Sequence, residues 1–549
     1  MSCPLSLDLR ASWRSPRVLA LLAALWVLTL AGIQSVPLEK HESFVLATAQ
    51  EMKTSGDWLL PRYNEELRLQ KPPMNYWATL IVAAADPVNA DIQIYHGRIV
   101  SLLAVLMMVL LTARTGAKLY GRDAGLLAAL FLLGANGILS YSRNARPDML
   151  YAAFCTLQLF AWLDAWQAET PAHQLRSALL GWAAAALATL TKGPQVPAVF
   201  LLGVLGFLVA GPDRRRALQI LRPFSGATLF CLLVLPWWLL IQQRLKTLGV
   251  SIEDSQLSGS LLLQLPSWKE LLKGYYVWQP AVQMFPVSLL LIGIVPGLLK
   301  KHAAVHSAAR LLIVVSLLFL VVFTFGGQYR KHYLLPLLPV FALLLAGHLD
   351  LFPALSLNRK GGIALGAVGA AGALGCAGIM IGAGAFGVLA LYAALGFLIF
   401  RLLRGAPSGA AAEQVPLTKQ LLPATAALVI LESGFSAYSP ADKAQVAEQD
   451  FLKRVAAEVP ANARLVCWKT SLDTLPYYVR KPVAKVTNRA DMDKLLLARQ
   501  DRQPLFVVLT ARELPAFGAL FKNRTVPVAP AQSQGKAKLC LCEVLGAQG

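Results

Sequence analysis

Apolar positions along this chain run unbroken for long stretches instead of alternating or recurring every three or four residues. At least ten such runs of 16 or more residues are each long enough to cross a hydrocarbon core about 30 Å thick. They predict about thirteen spanning helices, at 18–36, 96–113, 124–140, 148–166, 177–191, 195–210, 224–242, 283–299, 311–326, 332–349, 362–381, 384–403 and 421–438. The first run follows Arg10, Arg14 and Arg17 like a signal peptide. It is long and shows no small-residue cleavage site, so it reads as a retained span.

Three segments break the pattern. Residues 37–95 form a long loop in which Val45, Ala49 and Met52 recur at helical spacing, predicting an amphipathic helix in the membrane interface. Residues 243–282 form a second loop, with Trp268, Tyr275, Tyr276 and Trp278 as interface anchors. Residues 440–549 are polar. "RLVCWK", "PLFVVLT" and "KLCLCEVL" predict strands there, and "ADKAQVAEQDFLKRVAAEV" and "NRADMDKLLLARQ" predict helices. The predicted fold is a polytopic α-helical membrane domain, 1–439, followed by a small α/β domain, 440–549.

Composition agrees: of 549 residues, 56% are hydrophobic and 15% charged. A net charge of +21 suggests nucleic acid at first, but the basic residues sit in short loops between spans, where they set orientation. Nucleic acid is therefore not an expected partner. With the N-terminus inside, nineteen Lys and Arg fall in inside loops and five in short outside loops. That register places residues 37–95, 243–282 and 440–549 outside. The seven cysteines have no metal-ligand spacing and suggest no disulfide framework. No metal site is expected.

The five outside cations run against the charge trend: Arg143 and Arg146 in "YSRNARPDML", Lys192 in "LTKGPQVP", and Arg330 and Lys331 in "GGQYRKHYLLPLLP". Each alone suits a lipid headgroup contact. Together, with Lys71, they suit a pocket for an anionic group such as phosphate. Lys71 precedes two prolines that stiffen an extended backbone. Asp148 follows Pro147 at a helix start, where a carboxylate is favoured electrostatically. It is a helix cap, or it orients Arg146 or a catalytic group. Were it only a cap, Asp148→Asn would leave activity intact.

"EMKTSGDWLLPRYN", "KPPMNYW", "RPDML", "TKGP" and "KHYLLPLLP", in that order, resemble the polyprenyl-phosphate-dependent glycosyltransferases of the GT-C type. The likeness is strongest to the bacterial lipid A aminoarabinose transferases (ArnT), and more distant to the protein O-mannosyltransferases. The resemblance implies a GT-C fold in the bacterial inner membrane, with its active site and C-terminal domain on the periplasmic side. It implies a polyprenyl-phosphate-linked sugar as donor and an envelope glycolipid, lipid A favoured, as acceptor. Lys71 with some of Arg330, Lys331 and Tyr333 would hold the donor phosphate, and Asp148 matches an acidic residue of the family's periplasmic face.

The chain departs from the family at two places. Where an Asp-Glu pair opens the first loop, it has His41 and Glu42. Where a Glu precedes the lysine, it has Gln70, which weakens any carry-over of a divalent metal. Three readings follow: His41 or Glu42 replaces the base, the acceptor is a phosphate needing no base, or the chain diverged in acceptor or activity. The rivals are the same chemistry on another glycan or a protein hydroxyl, and a non-catalytic carrier-lipid binder. A transporter fits less well, since the charges lie at span ends and no repeated halves are seen.

Overall fold

The computed structural model describes residues 33, 36–250, 266–285, 287–290, 307–327, 329–349, 443–497, 503–526 and 538–547. The predicted spans at 362–381, 384–403 and 421–438, and most of 18–36 and 283–299, lie outside these residues. Two compact units emerge. One joins residues 70–75 to 98–438, and the other joins 34–69 and 76–97 to 439–549. The division differs from a cut at 439, because the first loop clusters with the C-terminal residues.

In the first unit four described helices are long and apolar enough to span a membrane, and a bent pair makes a fifth. The four are Ile94–Tyr120, Pro147–Trp166, Arg214–Thr247 and Ser307–Phe325. The predicted span at 124–140 is the bent pair: Arg122–Leu133 and Asn136–Ser142 meet at 57°. Gly134 ends the first helix, its N–H donating back to Leu130 O at 2.9 Å. Close approach of Ile94–Tyr120 and Arg122–Leu133 rests on glycine. A Cβ on Gly116 would lie 2.8 Å from the Gly125 Cα.

Helices Pro147–Trp166 and Pro171–Lys192 form the hairpin that builds the site. Their join is only residues 167–170, so they run antiparallel. Trp162 Nε1 donates to Ala178 O at 3.3 Å, and Trp182 Nε1 to Leu221 O at 2.8 Å, so the buried indoles keep their donors satisfied. The start of the first helix therefore lies beside the end of the second, and Asp148 comes level with Lys192.

The second unit holds a short antiparallel pair, β1 (Arg62–Tyr63) and β2 (Glu66–Leu67), and a five-stranded sheet of β3 (Arg464–Trp468), β4 (Val483–Val486), β5 (Leu505–Thr510), β6 (Phe521–Val526) and β7 (Leu539–Ala547) in the order β4-β3-β5-β7-β6. Strands β3, β4 and β5 are parallel. Strands β6 and β7 add antiparallel. Leu465, Cys467 and Val508 pack on one face with Phe451 and Val455 of helix Lys443–Glu458. Val466, Trp468 and Val507 pack on the other with Phe517 and Met492. Burial on both faces explains why "LFVVL" is continuously apolar. The short β4 and β6 were not legible as strands, since their Lys485, Lys522, Asn523 and Arg524 interrupt any apolar run.

Helix Lys40–Ser55 begins on a reciprocal cap of Glu39 and Glu42 and ends at Gly56, whose φ of 71° suits glycine. The sequence predicts an interfacial helix here. Instead Val45, Ala49 and Met52 are buried inside protein, together with Glu42, Ser43 and Thr48. A helix turned to lipid would not bury polar groups on the same face. Ser43 Oγ donates to Asp473 O at 2.9 Å, and the Tyr63 hydroxyl to the same carbonyl at 2.5 Å. Asn64 covers the β4 edge, accepting from Val483 N at 2.7 Å and donating to Val483 O at 3.0 Å.

Asp473 closes this contact through Lys40 at 2.5 Å and Lys485 at 3.0 Å. Partial burial raises its pKa, but the hydrogen bonds from the two ammonium groups outweigh it, and the carboxyl ends below its ordinary 3.8. A depressed folded pKa gives stability that is present above the unfolded value and lost as pH falls through the folded one. Wild type should therefore lose more thermal stability than Asp473→Asn between pH 5 and about pH 3, measured by unfolding of the full chain. Equal losses would remove this group from the acid response.

Candidate functional site

The stretch 143–148 turns from one helix into the next. Arg143 follows helix Asn136–Ser142, and Arg146, extended at φ −109° and ψ 150°, precedes helix Pro147–Trp166. Pro147 fills the first helical position, where its missing N–H costs nothing. Asp148 falls in the first turn and is 3% exposed. Ser101 Oγ donates to Asn144 O at 2.6 Å and pins the turn from helix Ile94–Tyr120.

The Asp148 carboxylate is held from three sides. Arg146 Nε donates to one oxygen at 2.9 Å. Lys192 Nζ donates to the other at 2.5 Å, and His332 Nε2 lies 3.9 Å from that same oxygen. Lys192 is itself only 8% exposed. It ends its helix at Gly193, whose φ of 118° a side chain rarely tolerates. The Gly193 carbonyl accepts from the Tyr151 hydroxyl at 3.1 Å, and that hydroxyl accepts from Val196 N–H at 3.1 Å. Backbone and phenol together fix where the ammonium points.

Aromatic rings fill the space between cations. Lys192 Nζ lies 4.6 Å from the Tyr333 ring centre. The Tyr141 ring has Arg146 at 5.3 Å and Lys331 at 5.8 Å. Arg330 and Lys331 are exposed, while Arg143 is buried. The cluster thus has an inner part, where Asp148 bridges Arg146 and Lys192 and offsets one of their two charges, and an outer pair of accessible cations. A surplus of positive charge beside aromatic faces suits a phosphate carried on a lipid.

Of the residues the sequence singles out, Arg146, Asp148, Lys192, Lys331 and Tyr333 converge here. Arg143 and Arg330 adjoin them in the chain. Lys71 is half-buried in the turn before helix Met74–Ala84 and groups with this same unit. His41 and Glu42 belong to the other unit. His41 is exposed, with its ring 6.1 Å from Phe44, and Glu42 accepts from the Glu39 N–H at 3.0 Å as part of the helix cap. Sequence reasoning passed over His332, Tyr141 and Tyr151. The "KHY" triplet between two assigned residues was the available signal for His332.

Residues 70–240 match the family described as dolichyl-phosphate-mannose-protein mannosyltransferase. An uncharacterised protein of Aquifex aeolicus is 28% identical over 319 residues, which are 56% of this chain and 59% of that protein. A Pseudomonas fluorescens protein named undecaprenyl phosphate-alpha-4-amino-4-deoxy-L-arabinose arabinosyl transferase 1 is 28% identical over 205 residues, 36% of this chain and 34% of its own. The chain thus matches less than two thirds of the length of these curated relatives. Solved structures extend the likeness. ArnT of Cupriavidus metallidurans in the apo state superposes with a TM-score of 0.70 at 19% identity, over 96% of this chain and 97% of that one. The same enzyme bound to undecaprenyl phosphate gives 0.69 at 20% identity and the same coverage. The chain shares the fold of ArnT.

Proposed function

We propose that this chain is an inner-membrane glycosyltransferase that moves a sugar from a polyprenyl phosphate carrier to an envelope glycolipid, lipid A favoured. The carrying observation is the two-part cation cluster: Arg146 and Lys192 locked on buried Asp148, with exposed Arg330 and Lys331 beside them. The shared fold with a protein that binds undecaprenyl phosphate supports the donor class. The residue likeness to a protein named undecaprenyl phosphate-alpha-4-amino-4-deoxy-L-arabinose arabinosyl transferase 1 supports the same donor class, and the glycolipid acceptor rests on the motif resemblance alone.

In this reading the bond from the sugar's anomeric carbon to the carrier phosphate breaks, and an acceptor oxygen bonds to that carbon. The electron pair leaves with the polyprenyl phosphate. Lys71, Arg330 and Lys331 stabilise the charge growing on that leaving group, with Arg143 and Tyr333 at its margin. Arg146 and Lys192, already paired, set the field behind them, and Asp148 orients both. An acceptor hydroxyl must also lose a proton, for which His41 or Glu42 is the candidate. An acceptor phosphate, already anionic, needs no base. The proposed topology keeps the thirteen spans, a cytoplasmic N-terminus, and a periplasmic site and C-terminal domain.

The test is direct. Purified protein incubated with polyprenyl-phosphate-linked sugars and lipid A should release free polyprenyl phosphate and glycosylate the lipid. Release with a different acceptor alone would keep the chemistry and move the acceptor to another glycan or a protein hydroxyl. Binding of the lipid-linked sugar without release would leave a carrier-lipid binder.

A further inference from the structure

Helix Tyr275–Gln283 has two faces of opposite character. Tyr276, Gln279 and Gln283, spaced i, i+3, i+7, are buried. Val277 is 84% exposed, and Trp278, Val282 and Phe285 also turn outward. The short helix before it, Trp268–Leu272, continues the outer face: Trp268 is 81% and Leu272 85% exposed. No charged residue occurs from 274 to 285. An uncharged segment presenting Val277, Trp278, Val282 and Phe285 to water would be an aggregation hazard.

Charge next to this face selects its partner. Lys269 and Lys273 are exposed, one helical turn apart, beside Trp268 and Leu272. Glu270, the one acidic residue of 266–285, is taken up capping Ser267, its carboxylate accepting from Ser267 N at 2.9 Å and Ser267 Oγ at 3.1 Å. Tryptophan, aliphatic side chains and two long-stemmed ammonium groups on one face match the boundary between acyl chains and anionic headgroups.

The inner face touches both halves of the cation cluster's scaffold. Asn136, which opens the helix leading to Arg143, donates from its N–H to Phe285 O at 3.1 Å and from its side chain to Val282 O at 3.4 Å. Gln283 packs on Gly137, where an added Cβ would collide with it. On the other side Tyr275 lies 5.7 Å from Tyr329, and Tyr276 bonds to the backbone of Arg330. One helix therefore bridges the segment that carries Arg143 to Asp148 and the segment that carries Arg330 to Tyr333.

We infer that residues 268–285 are an interfacial clamp: the outer face docks in an anionic bilayer surface, and that docking holds the inner face across the two cation-bearing segments. The first half stands on exposure and charge alone; the second rests on the proposed function. The full chain is reconstituted in phosphatidylcholine vesicles containing phosphatidylglycerol, with the photocrosslinker p-benzoylphenylalanine at position 277. Position 232, exposed on helix Pro223–Thr247, is the membrane control, and position 497, in the C-terminal domain, the aqueous one. Illumination should give lipid adducts at 277 and 232 and none at 497. Phosphatidylglycerol should be enriched at 277, and the enrichment lost in Lys269→Glu/Lys273→Glu. Adducts at 232 but none at 277 would overturn the docking. Val277→Glu/Trp278→Glu should then cut polyprenyl phosphate release at least tenfold at an unchanged unfolding midpoint. Unchanged release would overturn the clamp and leave a passive anchor. A wild type that releases nothing fails the proposed function, while the adduct pattern still decides the docking.

Discussion

Asp148→Asn is expected to lower sugar transfer by about a hundredfold and to destabilise the protein in the same step. Asparagine caps a helix as well as aspartate, so local helix formation is retained. What disappears is the countercharge to Lys192 at 2.5 Å and Arg146 at 2.9 Å. Breaking a buried pair costs on the order of 3–5 kcal/mol, because the surviving charge stays desolvated. At an exposed helix start, a functional carboxylate could be replaced by Asn with stability nearly intact. Burial of both partners removes that separation, so a second variant is needed. Asp148→Asn/Lys192→Met deletes both charges and should recover most of the lost unfolding temperature. Transfer should stay low, since Arg146 is still unanchored and the field behind the phosphate is gone. Full transfer in Asp148→Asn would return the carboxylate to a cap. Recovery of transfer along with stability in the double variant would make the pair structural only.

Why Asp148 finds Lys192 is arithmetic that the sequence contained. The helices it opens and Lys192 closes are joined by residues 167–170, so positions 148 and 192 lie almost symmetrically about the turn. Antiparallel helices of similar length must bring such positions level. Span prediction supplied both helices, and the charge trend singled out both residues as outside, yet neither reading pairs them. His332 was harder to see. It reaches Asp148 because residues 331–337 wind as a tighter 3-10 helix, and nothing in "KHYLLPLLP" distinguishes that from the start of a regular span. The bend between Leu133 and Asn136 was hidden likewise, since an apolar run is continuous whether or not the helix within it is.

The first loop shows the opposite error. Val45, Ala49 and Met52 have the helical spacing expected, and the helix is there. Periodicity reports that one face is apolar, not what covers it. The cover is protein, and the helix finds its partner over 400 residues away, where Asp473 accepts from Ser43 and pairs with Lys40. Long-range partners of this kind leave no local mark on the chain.

Lys71→Ala should reduce release of polyprenyl phosphate well over tenfold while leaving the fold intact. Lys71 stands before Pro72 and Pro73, which hold it to an extended backbone without a helical alternative. Helix Met74–Ala84 begins directly after, so the lysine is fixed at a helix entrance rather than on a free loop. Residues 70–75 group with the unit that carries Asp148 and Lys192, although the sequence on either side groups with the other. A cation fixed in this way stabilises a leaving phosphate without first losing conformational freedom. Removing it from a partly desolvated phosphate pair costs on the order of 2–4 kcal/mol, a factor of about thirty to a thousand in rate. Two measurements separate donor binding from anchoring: turnover with the lipid-linked sugar, and competition by free polyprenyl phosphate. Loss in both, with Lys71→Arg restoring part of each, supports a phosphate contact. Normal turnover in Lys71→Ala would leave the lysine an anchor at the membrane surface, and the growing charge would fall to Arg330 and Lys331 alone.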